Sequence, residues 1–587
     1  MSRVGEQRPL DPHRPRAALR PELRARQHAI SSGHYLATQA GMRILDGGGN
    51  AIDAGVAAGI CLGILLSDFV SFAGVAPILV YDAAGDRVES VAGVGHWPAA
   101  AALEEFRSRW GETMPEGIPR TVVPAAPDAW ITALRRWGTR SFGEVAAAAI
   151  ELAADGFPMF ELMAMRIAGA EAELAGWPSS AAVFLPEGRP PLPGERFRQV
   201  EAARTLERMA TAEAQASRNG RNAGLQAARD EFYKGETAER IARFMADQGG
   251  LLTYDDLASY SVQTAPPVST EYRGWRVYAC GPWSQGPALP EALNILSGFD
   301  LRALGQNSAR YLHVLLEAIK LAFADREAYL GDPSFVDVPV EALLSPEYAR
   351  SQRERIDPAH ATPSLPVPGD AGPLGAVPHG RIPVYSSGAG GGSDTSYVCA
   401  VDRWGNVFSA TPSDGMGTPV VPGVGMTVSP RGSQSWLDPA HPSVLAPGKR
   451  PRLTPNPAIA IRNGMALPFG TPGGDVQVQA MLQVFLNIVE FGMTPQEAVE
   501  APRVASYSAP NSFWPHDEKP GLVRAESRLG GSTLRGLAKR DHRVEAWPEW
   551  TWLAGAVCAI HADRNAGPGA LLTAAADPRR ESYALGW

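Results

Sequence analysis

Apolar residues at Leu36, Ala40 and Ile44 fall about one helical turn apart, and the glycines at 47–49 stop the pattern, so the first predicted element is a short helix. The run Ala54–Leu66 is apolar on every side, which marks a buried helix that starts near Ala51. The period then changes to two. "APILVYDAAGDRVESVAG" alternates on both sides of Ala84-Gly85-Asp86 and predicts a hairpin. Residues 127–155 return to helix and end at Gly156, and the polar, helix-rich stretch to about 260 carries little chemistry. Trp275, Val277 and Ala279 predict a strand, followed by a Gly/Pro turn and a helix. Leu312, Leu315, Leu316, Ile319, Phe323 and Leu330 make Tyr311–Leu330 the clearest amphipathic helix, one that packs rather than reacts. "IAIRNGMALPFG" predicts a second hairpin, with Asn463-Gly464 in a type I′ turn that needs positive φ at both positions.

Two stretches carry candidate chemistry. Residues 357–393 are crowded with proline, glycine and serine and have no apolar period, so they read as an exposed, flexible tether in which nothing packs. The pattern then alternates, with Thr395, Tyr397, Cys399 and Val401 on one face and Ser396, Val398, Ala400 and Asp402 on the other, before a turn at Arg403-Trp404-Gly405-Asn406. If the Asp394–Thr395 bond were cut, Thr395 would become an N-terminus that carries its own base. A free α-amine has a pKa of about 7.7 to 8.0, low enough to accept the threonine's hydroxyl proton near neutrality. A surface loop running into an ordinary strand fits the same residues. In "GTPGGDVQVQ", Gly473 and Gly474 lead into a helix that Asp475 can cap, and bare N–H groups at a helix start suit an oxyanion. A tight turn without a ligand is the plainer alternative.

Composition narrows the field. The chain has 587 residues, 45% hydrophobic and 20% charged, with a net charge of -8 and a pI near 5.9, which gives no basic surface for nucleic acid. Cys61, Cys280, Cys399 and Cys558 lie far apart in apolar contexts and read as buried thiols, not disulfides. The first 28 residues are rich in Arg and Pro and have no apolar core, so they read as a disordered tail with no signal peptide and imply a cytoplasmic protein. Ala54–Leu66 is too short to span a bilayer. The histidines lack H-E-x-x-H or other ligand spacing, and no phosphate-binding loop, dinucleotide fingerprint or G-x-S-x-G elbow occurs, so neither metal nor cofactor is expected.

Taken together, "ATQAGMRILDGGGNAIDAGVAA", "AFADREAYLGDPSF", "DTSYVCAVDRWGN", "APGKRP", "GTPGG" and the terminal "DPRR" resemble the γ-glutamyltransferase family of N-terminal nucleophile hydrolases, in family order from about His28 onward. The resemblance implies an α+β fold, a four-layer αββα sandwich with two stacked, mainly antiparallel sheets between helical layers. It also implies a precursor that cuts itself. Residues 29–394, ending in the 357–394 tether, would form the large part of one domain, and residues 395–587 the small part. The two fragments would stay associated, with a homodimer left open, and act on a small-molecule amide. By the same resemblance Thr395 is the nucleophile and, after cleavage, the α-amine base. Gly473 and Gly474 give the oxyanion donors, and Ser413 steadies the amine.

The substrate anchors depart from the family's pattern. No arginine stands near Val94, where the family holds the glutamyl α-carboxylate; Leu453 and Thr454 replace paired serines, and Gln434 replaces the aspartate that holds the α-amine. The connection from Gln434 to Lys449 is too short for the family's lid. Arg431 and Arg452 flank these positions, and either could hold one carboxylate of a glutaryl- or oxamyl-like acyl group, unless both are surface arginines paired with water. The expectation is therefore an acylase-like amidohydrolase of the branch that includes cephalosporin acylases and oxamate amidohydrolase, working through an acyl-Thr395 ester with water or an amine as acceptor. A true γ-glutamyltransferase acting on glutathione and an inactive scaffold remain the alternatives.

Overall fold

The structure, a computed structural model, describes residues 18–372, 395–565 and 571–587. Its period-two segments become two seven-stranded sheets. In chain order their strands are β1 (Leu23–Ala25), β2 (Ala29–Ser32), β3 (Ile78–Asp82), β4 (Arg87–Ala92), β5 (Gln263–Ala265), β6 (Val268–Tyr272), β7 (Trp275–Ala279), β8 (Val398–Val401), β9 (Val407–Ala410), β10 (Ala458–Arg462), β11 (Met465–Gly470), β12 (Cys558–Asp563), β13 (Leu571–Ala576) and β14 (Tyr583–Gly586). One sheet runs β1-β13-β12-β11-β10-β7-β6 and the other β14-β2-β8-β9-β3-β4-β5. Every neighbouring pair in both is antiparallel. The sheets stack face to face, and helices cover both outer faces. This is the expected four-layer α+β sandwich.

Strand β8 shows why the layers form. Tyr397, Cys399 and Val401 point between the sheets against Ile459, Cys558 and Ile560, while Val398 and Ala400 face the helical layer. Both faces are buried, so the alternation marks two cores. On the helical side lie α1 (Tyr35–Asp46) and α2 (Ala51–Leu65). All of α2 is buried, and its first turn is capped by Asn50 and Asp53. Its Ala51 N–H donates to Asp402 Oδ2 at 2.9 Å, which ties the helix start to the turn after β8. The expected 127–155 helix is two, α3 (Ala126–Trp137) and α4 (Phe142–Asp155), because Ser141 and Glu144 form a capping box that starts a new helix. The opposite face carries α5 (Ala288–Leu296), α6 (Ala309–Tyr329) and α7 (Val476–Val489). The Asn463-Gly464 turn has φ of 42° and 78°, the two positive values its type demands. All four cysteines are buried thiols, and no described helix is long and apolar enough to cross a membrane.

Three expectations change. Helix α6 is not amphipathic: Tyr311–Tyr329 is buried throughout, and its buried charged residues are paired inside the protein. The tail does not extend to residue 28. Arg20 N–H donates to Glu500 Oε1 at 3.0 Å, β1 pairs with β13, and His28 is buried. Main-chain pairing at a sheet edge needs no apolar side chains, so composition hid that strand. The connection after Asp357 is not loose in its described part. Lys320 Nζ donates to Thr362 O at 2.7 Å, and Gly369 N–H to Asp325 Oδ1 at 2.8 Å.

Residues from before and after Thr395 share both sheets, since β8 and β9 lie between β2 and β3. At the end of β11, a side chain on Gly470 would run into the Tyr397 ring. Gly470→Ala should therefore cost about 1–3 kcal/mol by overpacking, read as a lower denaturant midpoint; an unchanged midpoint would mean that the ring is free to move away.

Candidate active site

Thr395 stands just before β8 and is buried, with its main chain bridged to Ser413 on the strand that leaves β9. Ser396 N–H donates to Pro412 O at 2.9 Å, and Ser413 N–H to Val75 O at 3.0 Å, so the two hydroxyl residues are set side by side by backbone pairing. Thr395 Oγ1 and Ser413 Oγ are 2.8 Å apart. Among the sequence candidates, the structure joins Thr395, Ser413, Arg431, Gln434 and Thr454 in one hydrogen-bonded group. Arg431 donates through Nη2 to Ser413 Oγ and through Nη1 to Gln434 Oε1 at 3.0 Å and Thr454 Oγ1 at 3.3 Å. Gln434 Nε2 also donates to Thr454 Oγ1, at 3.1 Å.

Neither arginine is at the surface. Arg431 is fully buried and paired through Nε with Asp414, whose other oxygen accepts from Ser429 Oγ. Arg452 is 1% exposed and lies outside the Thr395 group, with Nη2 on both oxygens of Glu327 at 2.9 and 3.1 Å and Nη1 on Arg326 O at 2.9 Å. Burial alone would raise the Glu327 carboxyl, but the Arg452 and Arg326 guanidiniums and the His441 ring hold it well below the usual carboxylate range. Leu453 supplies main chain: its N–H donates to Trp283 O, and its carbonyl accepts from Gln285 N–H at 2.7 Å. Val94 is buried between the sheets and its carbonyl accepts from Tyr260 OH, so that position contributes packing.

Gly473 and Gly474 follow β11 with φ of 124° and 55°. The first value lies where only glycine sits without strain. Contrary to the expectation from the sequence, Asp475 makes no side-chain cap on α7. Its carboxylate instead accepts from Arg326 Nη1, Ser512 N–H at 2.8 Å and Ser512 Oγ at 2.6 Å. Gln285 ties the glycine turn to the Thr395 group, because its Nε2 donates to both Thr454 O at 2.8 Å and Gly474 O at 3.1 Å. The Phe513 ring lies 5.2 Å from the Arg431 guanidinium and against Gly474. Asp394 lies outside the described residues.

Sequence reasoning missed Asp414, Gln285, Arg326, Ser429 and Phe513. Asp414 adjoins Ser413 and Ser429 stands two residues before Arg431, so both could have been noticed; Gln285, Arg326 and Phe513 come from segments remote in sequence. The short connection after Gln434 folds down, with Trp436 stacked between His441 and His516 at centroid distances of 4.2 and 3.9 Å. Burial pushes both imidazoles down to about 4, so they are neutral spacers at pH 7. Metal-ligand residues do gather at His313, Glu317 and His542, which no sequence spacing revealed. There Lys320 Nζ and Thr362 N–H already engage the Glu317 carboxylate, at 2.6 and 3.1 Å. The group reads as a polar clamp on the connection.

A family model for γ-glutamyltranspeptidase matches residues 37–587. The chain belongs to that family. The glutathione hydrolase-like YwrD proenzyme of Bacillus subtilis is 33% identical over 562 residues, covering 95% of this chain and 98% of that protein. Solved structures of LmbA2991 superpose with a TM-score of 0.90 at 36% identity, covering 97% of this chain and all of theirs. The cephalosporin acylase of Bacillus halodurans superposes with a TM-score of 0.84 at 29% identity, covering 100% of this chain and 99% of its own. Further relatives include glutathione hydrolase, acylase and oxamate amidohydrolase proenzymes. The chain is thus an N-terminal nucleophile enzyme of the γ-glutamyltranspeptidase family, and its relatives include acylases and amidohydrolases.

The Arg452–Glu327 pair makes a checkable statement about pH. Because the Glu327 carboxyl is depressed in the fold, it stabilises the protein above its unfolded value near 4.3, and that contribution fades as pH falls below it. Arg452→Met should cost about 3–5 kcal/mol and move the acid-unfolding midpoint, followed by tryptophan fluorescence, to higher pH. An acid midpoint equal to that of the parent would show that the pair does not form.

Proposed function

We propose that the protein is a self-processing amidohydrolase that cleaves its own Asp394–Thr395 bond and then uses Thr395 as nucleophile. The carrying observation is the buried Thr395 Oγ1 set 2.8 Å from Ser413 Oγ at the head of a central strand. In the cut enzyme Oγ1 attacks the amide carbon while the new α-amine takes the hydroxyl proton and passes it to the leaving amine. The Gly473 and Gly474 N–H groups stabilise the oxyanion, and water resolves the acyl ester and restores the hydroxyl. Residues 395–587 would remain docked on the rest of the chain.

The acyl group follows from charge. Where a glutamyl ammonium would be bound, Gln434 contacts a guanidinium, and Asp414 is engaged by Arg431 and Ser429. An ammonium there gains no ion pair, loses hydration and faces a cation. An acyl group without an α-amine fits better, in keeping with the acylase and amidohydrolase relatives. The glutathione hydrolases among the relatives support the competing reading.

Purified protein should run as two fragments, the smaller beginning Thr395-Ser396-Tyr397 by N-terminal sequencing. Thr395→Ala should stay uncut and inactive, whereas Thr395→Ser should be slower but competent, since only the β-branch that fixes the rotamer is lost. Activity in the alanine variant would end this mechanism. For substrate choice, kcat/KM on glutaryl anilide should at least equal that on γ-glutamyl anilide. A γ-glutamyl preference of about a hundredfold, or about 2.7 kcal/mol, would restore the glutathione reading.

A further inference from the structure

We propose that the buried Asp414–Arg431 pair is a positioning device for the Thr395 hydroxyl, acting through Ser413 in both self-cleavage and turnover. The proposal rests on Thr395 being the nucleophile. Ser413 has little freedom of its own: its N–H donates to Val75 O at 3.0 Å, and its carbonyl accepts from Ser71 N–H at 3.3 Å. What remains is the direction of its hydroxyl. A guanidinium has donors and no acceptor, so Ser413 Oγ must accept in its contact with Arg431 Nη2. A hydroxyl that accepts from a cation is polarised into a better donor, which favours the arrangement in which the Ser413 proton points at Thr395 Oγ1, 2.8 Å away. Thr395 becomes the acceptor in that pair, and its hydroxyl proton is left for the base. A neutral residue at 431 would let the two hydroxyls donate either way. The same cation stands two hydrogen bonds from Thr395 Oγ1, where its positive field favours loss of the hydroxyl proton to the base.

The rest of the site serves this placement. Asp414 takes Arg431 Nε, Gln434 and Thr454 take Nη1, and Phe513 covers the guanidinium. Asp414 holds a φ of 87°, a left-handed conformation that costs a non-glycine residue about 1–3 kcal/mol and is kept where the surroundings impose it. Replacing a buried ion pair by apolar residues is often neutral or stabilising. A strained, fully buried pair beside the nucleophile is therefore better explained by orientation than by stability.

Arg431→Met alone would leave Asp414 as a lone buried charge, so the main test is the charge-free double variant Arg431→Met/Asp414→Asn, with folding checked by circular dichroism. Two readouts are followed: the rate at which the fragment beginning at Thr395 appears, and kcat and KM of cut enzyme on glutaryl anilide. Both the cleavage rate and kcat should fall about a hundredfold with KM unchanged, the loss expected when aligned donors are removed from a reacting oxygen. Arg431→Lys should recover part of kcat, because the charge returns without the fork. Adding Ser413→Ala to the double variant should cause no further loss, since the pair acts through that hydroxyl. The proposal is overturned if the double variant cuts and turns over normally, if KM rises while kcat holds, or if the Ser413→Ala loss adds in full. Turnover by Thr395→Ala would instead defeat the nucleophile assignment itself.

Discussion

Strand β8 is hydrogen-bonded along both edges, to β2 on one side and β9 on the other, and the position of Thr395, the proposed nucleophile, depends on that double ladder. Val398 is matched to both Ser32 and Ala410, so residues three places beyond Thr395 are already held by segments from either side of the proposed cut. Breaking the chain before Thr395 would remove one covalent bond and none of these. The turn after β8 is fixed as well, by Asp402, whose carboxylate accepts from Trp404, Asn406 and the first turn of α2. A self-cleaving protein needs such a frame, because the same atoms must stay in register as precursor and as enzyme.

Helix α6 carries a second constraint. A helix buried on all sides can hold charged residues only if each finds a partner, and here those partners are the working parts of the molecule. Glu317 and Lys320 hold Thr362, and Asp325 holds Gly369 together with Tyr348 OH. One residue later, Arg326 reaches Asp475 and Gln285 beside the glycine turn, and Glu327 takes Arg452. The segment leading toward Thr395 and the glycine turn are thus braced by adjacent positions on one rigid element.

What the sequence revealed follows from range. The buried helix α2, both hairpins and the two-faced strand at Tyr397–Val401 were legible because their signals lie within a few residues. The family resemblance supplied the sandwich and placed Thr395, Ser413 and the glycine pair. Partner choice was not legible. Arg431 and Arg452 look alike in "SPRGSQ" and "KRPRLT", yet one is oriented by Asp414 and the other by Glu327, 125 residues upstream. Helix α6 was misread because an apolar stripe does not reveal that its polar face is also covered. The strand Leu23–Ala25 escaped notice because a sheet edge is recognised by its backbone.

The last described residue is tied to the turn between β1 and β2, a few residues into the described chain: Trp587 O accepts from Arg26 N–H at 3.0 Å and from Gln27 N–H at 2.7 Å. Closely spaced termini are what circular permutation requires. A short linker from residue 587 to the stretch before β1 would let the gene be opened at codon 395, giving a chain that begins with Met followed by Thr395. Removal of the initiator methionine would then expose the threonine's amine with no internal peptide bond to break. The topology would therefore allow the proposed maturation and the proposed catalysis to be pulled apart and studied singly.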